Sequence, residues 1–600
     1  MELAEYTINN QKDYILEELY KRKPDVLCFS CYIWNIDYVT DIAREYKKLC
    51  PSVPIWVGGP EVSYEVEAFL RENPYIDGVM IGEGEDTFRE LCGYYAHKRK
   101  LSDIAGIAFR KNSTGNSTSV NNIGGNKAGE IVFTSPRPIK NMSEIPFCYD
   151  TLDDFSNRII YYESSRGCPF SCSYCLSSVD KTLRFRDTEI VKKELKFFID
   201  QKVPQIKFVD RTFNCNHAHA MELWRFIKAN DNGVTNFHFE ISADLLNQEE
   251  LELISDMRPG LIQLEIGVQS TNDVTIKEIH RTMKLERLKE VVRLIQSGNN
   301  IHEHLDLIAG LPYEDYDSFG RSFDEIYELK PNQLQLGFLK VLKGSYMFEH
   351  AAEYGIVYHD KPPYEVMSTK WLSFDDVIKI KRVEEMLEVY YNSGQFEITM
   401  KLMECIFDSA FEFFQELGDF YEANGYFGMS HSRIRRCEIL LEFLALHLHG
   451  CYSDAMTSVV LSENAVDREN TDCDEHAIDR ENAGENTDFD ENAQIYSMIQ
   501  ESLIFDLYYR ENCKSRPVWA TDIGSFKHMT HAYCKNGKLS HVEPFHYIFP
   551  DKHTRKLDEL PKYHKEPVWA LFHYDMRDPL DHQALVEYVD NSKKPGRFTD

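Results

Sequence analysis

The chain has 600 residues, 43% of them hydrophobic, which suits roughly three or four packed domains. Its net charge of −31 at pH 7 repels phosphate backbones and disfavours a nucleic-acid substrate, a local basic patch aside. No run of about 18 apolar residues could form a transmembrane helix, the acidic start Met1–Glu5 is unlike a signal peptide, and fifteen mostly dispersed cysteines read as the reduced thiols of a cytosolic protein.

Residues 1–100 alternate short apolar runs with helical patterns. Val26–Tyr32, Ile55–Gly59 and Gly78–Gly82 read as buried strands, with helices expected at about 37–50, 62–73 and 86–97. Such alternation predicts a parallel sheet with helices on both faces, a Rossmann-like α/β domain. Two strands end in Gly58-Gly59-Pro60-Glu61 and Gly82-Glu83-Gly84-Glu85. Glycines there let a ligand approach the backbone, or simply make tight turns. Residues 106–110 and 130–134 read as a hairpin around a Ser/Asn/Gly-rich surface loop, 111–129. Residues 135–155, with Pro136, Pro138 and Pro146, read as an extended linker.

The most specific signal follows. After the apolar run Ile159–Tyr162 comes Arg166-Gly-Cys-Pro-Phe-Ser-Cys-Ser-Tyr-Cys175, with cysteines at 168, 172 and 175. Three thiolates on one short loop can hold a four-iron cluster and leave one iron open, whereas electron-transfer clusters usually take four cysteines. A structural zinc site wants two pairs of ligands, and no second pair follows at finger spacing. Residues 156–345 then repeat strand and helix, with strands expected at 159–163, 205–209, 237–241, 262–267, 303–308 and 334–339. Six parallel strands make a partial barrel whose chemistry lies at the carboxyl ends. Residues 346–600 read as a helix-rich domain, and its aromatics Phe411, Phe413, Phe414 and Tyr421 fit a core. Within it, 462–494 holds twelve Asp or Glu against two Arg and a small repeat, Ala465–Asn470 and Ala477–Asn482. That composition predicts a disordered insertion. The tail, 513–600, reads as short strands and loops, and His528, His531, His541 and His546 fit no standard zinc spacing.

The cysteine motif resembles that of the radical S-adenosylmethionine (SAM) superfamily. The order of a Rossmann-like unit, linker and cysteine loop resembles its cobalamin-binding branch. The phrases Tyr161–Cys168 and Tyr574–Leu580 resemble a subgroup ending in a domain of unknown function. The resemblance implies a 4Fe-4S cluster on Cys168, Cys172 and Cys175, SAM chelated to the open iron, and one-electron cleavage to a 5′-deoxyadenosyl radical. By the same resemblance Tyr174 lies against the adenine. Asp210, Arg211 and Thr212 occupy a turn that commonly binds the SAM amino group, with a surface ion pair as the other reading. Glu240, Gln269, Arg281 and Asp306 match further polar SAM contacts, and Tyr162 lines the same site or belongs to the core. Arg166 would offset cluster charge. Cobalamin would lie across Ser30, Tyr32, Gly58, Gly59, Pro60, Glu61, Gly82, Glu83 and Gly84. The Asp-x-His-x-x-Gly signature of cobalamin mutases is absent. Relatives also begin with a strand and helix upstream of the segment matching Glu2–Thr7. The first domain is therefore expected to lack its central strand, leaving neighbours unpaired; either the start lies further upstream or the domain is damaged. The implied activity is radical modification of a small molecule or peptide, with methyl transfer the commonest outcome and a reductant such as flavodoxin or ferredoxin supplying electrons. The alternatives are a cobalamin-independent radical SAM enzyme, a non-catalytic cluster or corrinoid sensor, and a tRNA methylthiotransferase, which the acidic surface disfavours.

Overall fold

The computed structural model describes residues 1–111, 130–149, 151–155, 158–179, 181–449, 486–534, 539–551, 554–557 and 559–589. The chain forms two compact units. One comprises Met1–Gly298, Glu303–Ser322 and Leu336–Val377; the other comprises Asn299–His302, Phe323–Gln335 and the chain from Ile378.

The first unit opens with a five-stranded sheet in sequential order: β1 (Leu27–Ser30), β2 (Ile55–Gly58), β3 (Gly78–Met80), β4 (Ile107–Arg110) and β5 (Ile131–Phe133). β1 to β3 are parallel, and the hairpin β4–β5 joins the same sheet antiparallel. Every residue of β2 is buried, as a parallel strand covered on both faces requires. Helices Lys12–Arg22 and Ile36–Leu49 bury Ile15, Leu19, Val39, Ile42 and Tyr46 on one face. On the other, Leu91 of helix Gly84–Tyr95 packs with Trp56, Met80 and Ile107. Among the described residues β1 pairs only with β2, and Glu2–Thr7 forms no strand. Tyr6 packs against the core instead. Among the described residues the outer edge of β1 has no strand partner. Most of the Ser/Asn/Gly-rich loop lies outside the described residues.

A six-stranded sheet follows, built from β6 (Ile160–Tyr162), β9 (Gln205–Phe208), β10 (Asn236–Ile241), β11 (Ile262–Gln269), β12 (His302–Ala309) and β13 (Gln333–Phe338). The strands lie in chain order, and β6, β9, β10 and β11 are parallel. The helices between them bury one face. Ile206, Phe208, Phe237, Phe239, Leu264 and Ile266 are at most 1% exposed. The alternate positions, Lys207, His238, Glu240, Glu265, His304 and Asp306, form a polar inner face, because successive strand residues point to opposite sides. Two short strands, β7 (Ser165–Arg166) and β8 (Arg184–Phe185), pair antiparallel and bracket the cysteine loop. A second two-stranded ribbon, β14 (Val357–Tyr358) and β15 (Val366–Ser368), lies further along the chain.

The second unit is mainly helical and carries a three-stranded antiparallel sheet: β16 (Ser540–Phe545), β17 (Val568–Arg577) and β18 (Ala584–Val589). Phe411, Phe413, Phe414 and Tyr421 are buried, as their helical spacing predicts. The expected disordered stretch 462–494 needs correction at its end, because a helix runs Asn486–Arg510; its earlier part lies outside the described residues. Buried Met498, Ile499, Leu503 and Phe505 anchor that helix, and propagation back over polar residues costs little once a nucleus is packed. Asp506 is 3% exposed and accepts hydrogen bonds from the Ile398 and Thr399 amides at 3.0 and 2.9 Å and from Thr399 Oγ1 at 2.7 Å. It thereby caps helix Glu397–Met403. Asp506→Ala leaves those donors unmet and should cost about 3 kcal/mol in urea unfolding, with Asp506→Asn losing less.

Candidate functional site

The cysteine loop is fixed from behind by a buried carboxylate. Asp210, fully buried at the end of β9, accepts from the Ser164 amide at 2.9 Å, Ser164 Oγ at 2.8 Å and Ser165 Oγ at 2.5 Å. Burial pushes its pKa up to about 6 against those hydrogen bonds. The structure therefore places Asp210 behind the loop rather than in the cavity. Tyr162 is likewise packed in the core, edge-on to Phe198 and Phe208, and its hydroxyl donates to Glu194 Oε2 at 2.6 Å. Neither lines the cavity beside Cys172.

The three thiols sit on the loop that follows. Cys168 and Cys172 are buried and Cys175 is partly exposed. Burial raises the Cys168 pKa, and charge on Cys175 and Cys172 raises it further. Three thiols on one short loop fit a site completed by a cationic iron centre, which stabilises thiolates outright. The nearby compensating cation is Arg281. Its Nη1 lies 3.8 Å from Cys172 Sγ and 3.3 Å from Tyr174 Oη, and Nη2 donates to the Gly267 carbonyl. Its Nε is buried without an acceptor. Arg166 does something different from what its place in the motif suggests. Its guanidinium binds Glu163 at 2.7 Å, Glu85 at 2.9 Å and Glu83 at 3.1 Å.

Beside Cys172 lies a cavity of 150 Å³ lined by Phe170, Arg211, Thr212, Glu240, Glu265, Gln269, Arg281 and Asp306, among others. Six of the expected SAM contacts meet there: Arg211, Thr212, Glu240, Gln269, Arg281 and Asp306. Thr212 Oγ1 is 3.8 Å from Cys168 Sγ. Burial, then the charge of Glu265, lifts Glu240 to about 7. Burial and the charges of Glu265 and Glu240 hold Asp306 well above the usual carboxylate range. Glu265 is the ionised member, lowered to about 2 by His238, whose Nε2 is 3.0 Å away, and by Lys207 at 2.9 Å. A crowded set of carboxylates facing a guanidinium suits a zwitterion with an ammonium and a carboxylate, such as the amino-acid end of SAM. Glu265, His304 and Asp306 also bring ligand atoms within 4.8 Å of one another, a grouping able to hold a cation. Sequence reading missed Lys207, His238, Glu265 and His304. Their signal was the polar residue at every second position of β9 to β12.

The first sheet presents its strand ends separately. The Ser30 carbonyl accepts from Asn35 Nδ2 at 2.9 Å, and exposed Tyr32 stacks on Trp34 at 4.6 Å. Gly59 has φ of +115°, and a Cβ there would stand 2.4 Å from the Cys31 carbonyl oxygen. Packing of the chain on itself thus requires Gly59. A Cβ on Gly58 would stand 3.2 Å from the flexible end of Met80, a looser constraint. Gly82, at φ +74°, and Gly84 face open space, where a ligand could approach. Pro60 and Glu61 begin a short 3₁₀ turn. Glu61, whose pKa is raised by burial, accepts from the Tyr364 hydroxyl. Glu83 is bound by Arg166 and by Arg184 at 2.5 Å. The C-terminal histidines do not converge: His541 pairs with Glu543 and His546 with Glu501.

Comparison with known proteins agrees with this geometry. Residues 162–326 match the radical SAM superfamily model, and residues 2–92 match the B12 binding domain model. The chain thus carries a segment matching the B12 binding domain followed by one matching the radical SAM superfamily. Residues 352–578 match a protein family of unknown function, DUF4080. The cobalamin-dependent radical SAM methyltransferase TokK of Streptomyces tokunonensis is 27% identical over 329 residues, 51% of this chain and 45% of TokK. An uncharacterized methyltransferase of Pyrococcus horikoshii, PH0819, is 24% identical over 60% of this chain and 75% of its own. The chain thus spans less than half the length of TokK. Among solved structures, apo OxsB, a cobalamin-dependent SAM radical enzyme, aligns with a TM-score of 0.50 at 16% identity over 84% of this chain and 74% of OxsB, a likeness of fold.

The cavity carboxylates give a pH signature. Raised folded-state values mean that the folded protein binds their protons more tightly, so their stabilisation is present at low pH and lost as pH rises. Melting temperature of the apoprotein should fall from about pH 5 to about pH 8, through the Glu240 value. The Glu240→Gln, Asp306→Asn double variant should flatten that slope.

Proposed function

We propose that this chain is an oxygen-sensitive, cytosolic radical SAM enzyme that modifies a small molecule or peptide, by methyl transfer or another radical outcome. The observation that carries the reading is the cysteine loop beside the cavity that Cys172 lines together with Arg281, Glu240 and Asp306. When bound, a 4Fe-4S cluster on Cys168, Cys172 and Cys175 supplies the electron that cleaves SAM, and cobalamin would supply a methyl-carrying centre. Arg281 would bind the SAM carboxylate through its unpartnered Nε and offset thiolate charge at Cys172. Glu240 and Asp306 would receive the ammonium, their protons leaving as the cation arrives. Thr212 and Gln269 add neutral hydrogen-bonding groups, and Tyr174 offers a ring surface for the adenine. The reductant would be a low-potential carrier such as flavodoxin or ferredoxin. No helix among the described residues is long and apolar enough to cross a membrane.

Cobalamin would approach the first sheet at Gly82 and Gly84, where the backbone is open. A second reading keeps the radical chemistry without cobalamin. It is favoured by Glu61 and Glu83 already holding Tyr364, Arg166 and Arg184.

The test is anaerobic SAM cleavage by protein reconstituted with iron and sulfide. 5′-Deoxyadenosine should form with the parent and be absent with the Cys168→Ala, Cys172→Ala, Cys175→Ala variant. S-Adenosylhomocysteine that appears only with added cobalamin supports methyl transfer. Cleavage indifferent to cobalamin, with none retained by the protein, selects the second reading. A parent that holds its cluster and SAM yet never cleaves SAM, with or without candidate substrates, would sink both in favour of a sensor.

A further inference from the structure

The second unit contains a cavity of 390 Å³ that the radical chemistry does not use. Its size lies in the range of small-molecule sites. One wall is the π-helical turn Glu388–Asn392 and the following Gly394. Arg510, the last residue of helix Asn486–Arg510, forms another, and Gln583, just ahead of β18, closes a third.

Most charges here are already matched. Lys330 pairs with Glu404 at 2.8 Å and Lys401 with Glu397 at 3.0 Å. Asp581 accepts from the Gln583 amide at 2.9 Å. Two groups stand apart. The Arg510 guanidinium makes no ion pair or hydrogen bond among the described residues. It lies against Gly394, where a Cβ would stand 3.3 Å from its Nη1. Its backbone is fixed, because Arg577 Nη1 donates to the Arg510 carbonyl at 2.9 Å. Gln583 is 3% exposed. Its Nε2 donates to Glu397, which leaves Oε1 buried with no donor. A buried acceptor without a partner costs about 1–3 kcal/mol, and native structures rarely leave one idle.

A free cation and an idle buried acceptor in one cavity define a complementary ligand: an anionic oxygen group joined to an N–H donor. Tyr391, Met400 and Leu580 add apolar wall for its carbon skeleton. We propose that this cavity binds a zwitterion of amino-acid to dipeptide size, its carboxylate on Arg510 and its N–H on Gln583 Oε1. The site shares no lining residue with the cavity beside Cys172 and does not depend on the activity assigned there.

The test uses the full chain, by calorimetric titration and thermal shift, with glycylglycine and the proteinogenic amino acids other than methionine, which shares its amino-acid end with SAM. Acetate and ethylamine serve as half-ligands. At least one zwitterion should bind and raise the melting temperature, with each half-ligand about tenfold weaker or worse. Arg510→Gln and Gln583→Met should each weaken that binding about tenfold or more, while the unliganded melt stays near the parent's. If one variant fails to fold, the other decides. The proposal is overturned if no probe binds, if binding is unchanged in a folded variant, or if acetate alone binds as well as the zwitterion.

Discussion

One guanidinium holds the junction on which the rest of the first unit depends. Arg166 stands where the chain leaves β7 for the cysteine loop, and it meets carboxylates from two places: Glu163 on its own segment, and Glu83 and Glu85 at the end of the first sheet. Arg184, across the two-stranded ribbon, takes Glu83 as well. Burial opposes the charge on Arg166, yet the hydrogen bonds and charges of Glu163 and Glu85 outweigh it and raise its pKa. Losing the cation would leave three carboxylates crowded with one remaining partner, and such half-broken networks cost far more than the intact pair gains. The loop that carries the thiols is thus held in front by ion pairs and behind by Asp210.

With the loop fixed, the inner face of the barrel sets the electrostatics. Glu265 is held by a hydrogen bond from His238 and by the charge of Lys207, and stays ionised. Glu240 and Asp306 then face an existing negative charge in a poorly hydrated space and hold their protons. Similar side chains on adjacent strands are therefore shifted in opposite directions. The acidic composition of the whole chain plays no part in this; it is a matter of which carboxylate stands beside the lysine.

Much of this was legible in the sequence. The cysteine spacing, the six strands and the convergence of Glu240, Gln269, Arg281 and Asp306 are local patterns that strand geometry carries into space. Asp210 and Tyr162 were harder, because a strand-end residue can turn to the cavity or to the loop behind it, and only the serine hydroxyls across from Asp210 decide which. Arg166 was misleading for a related reason. Its partners Glu83 and Glu85 lie some eighty residues earlier in the chain, and a motif does not reveal ion pairs that tertiary folding creates. The helix starting at Asn486 was hidden by composition, since polar residues at its start join a helix nucleated by apolar residues further on. Arg510 and Gln583 carry no motif at all, and their conjunction exists only in three dimensions.

The alternation along β9 to β12 has a further consequence. The residues that stabilise the barrel, Ile206, Phe237, Leu264 and their neighbours, all point outward into the helices, whereas the inner positions contribute little to that packing. Stability and specificity are therefore written on opposite faces of the same strands. Lineages descended from such a barrel can exchange inner residues, and with them the compounds they accept, without eroding the core. A common scaffold can in this way diversify chemically while its architecture stands still.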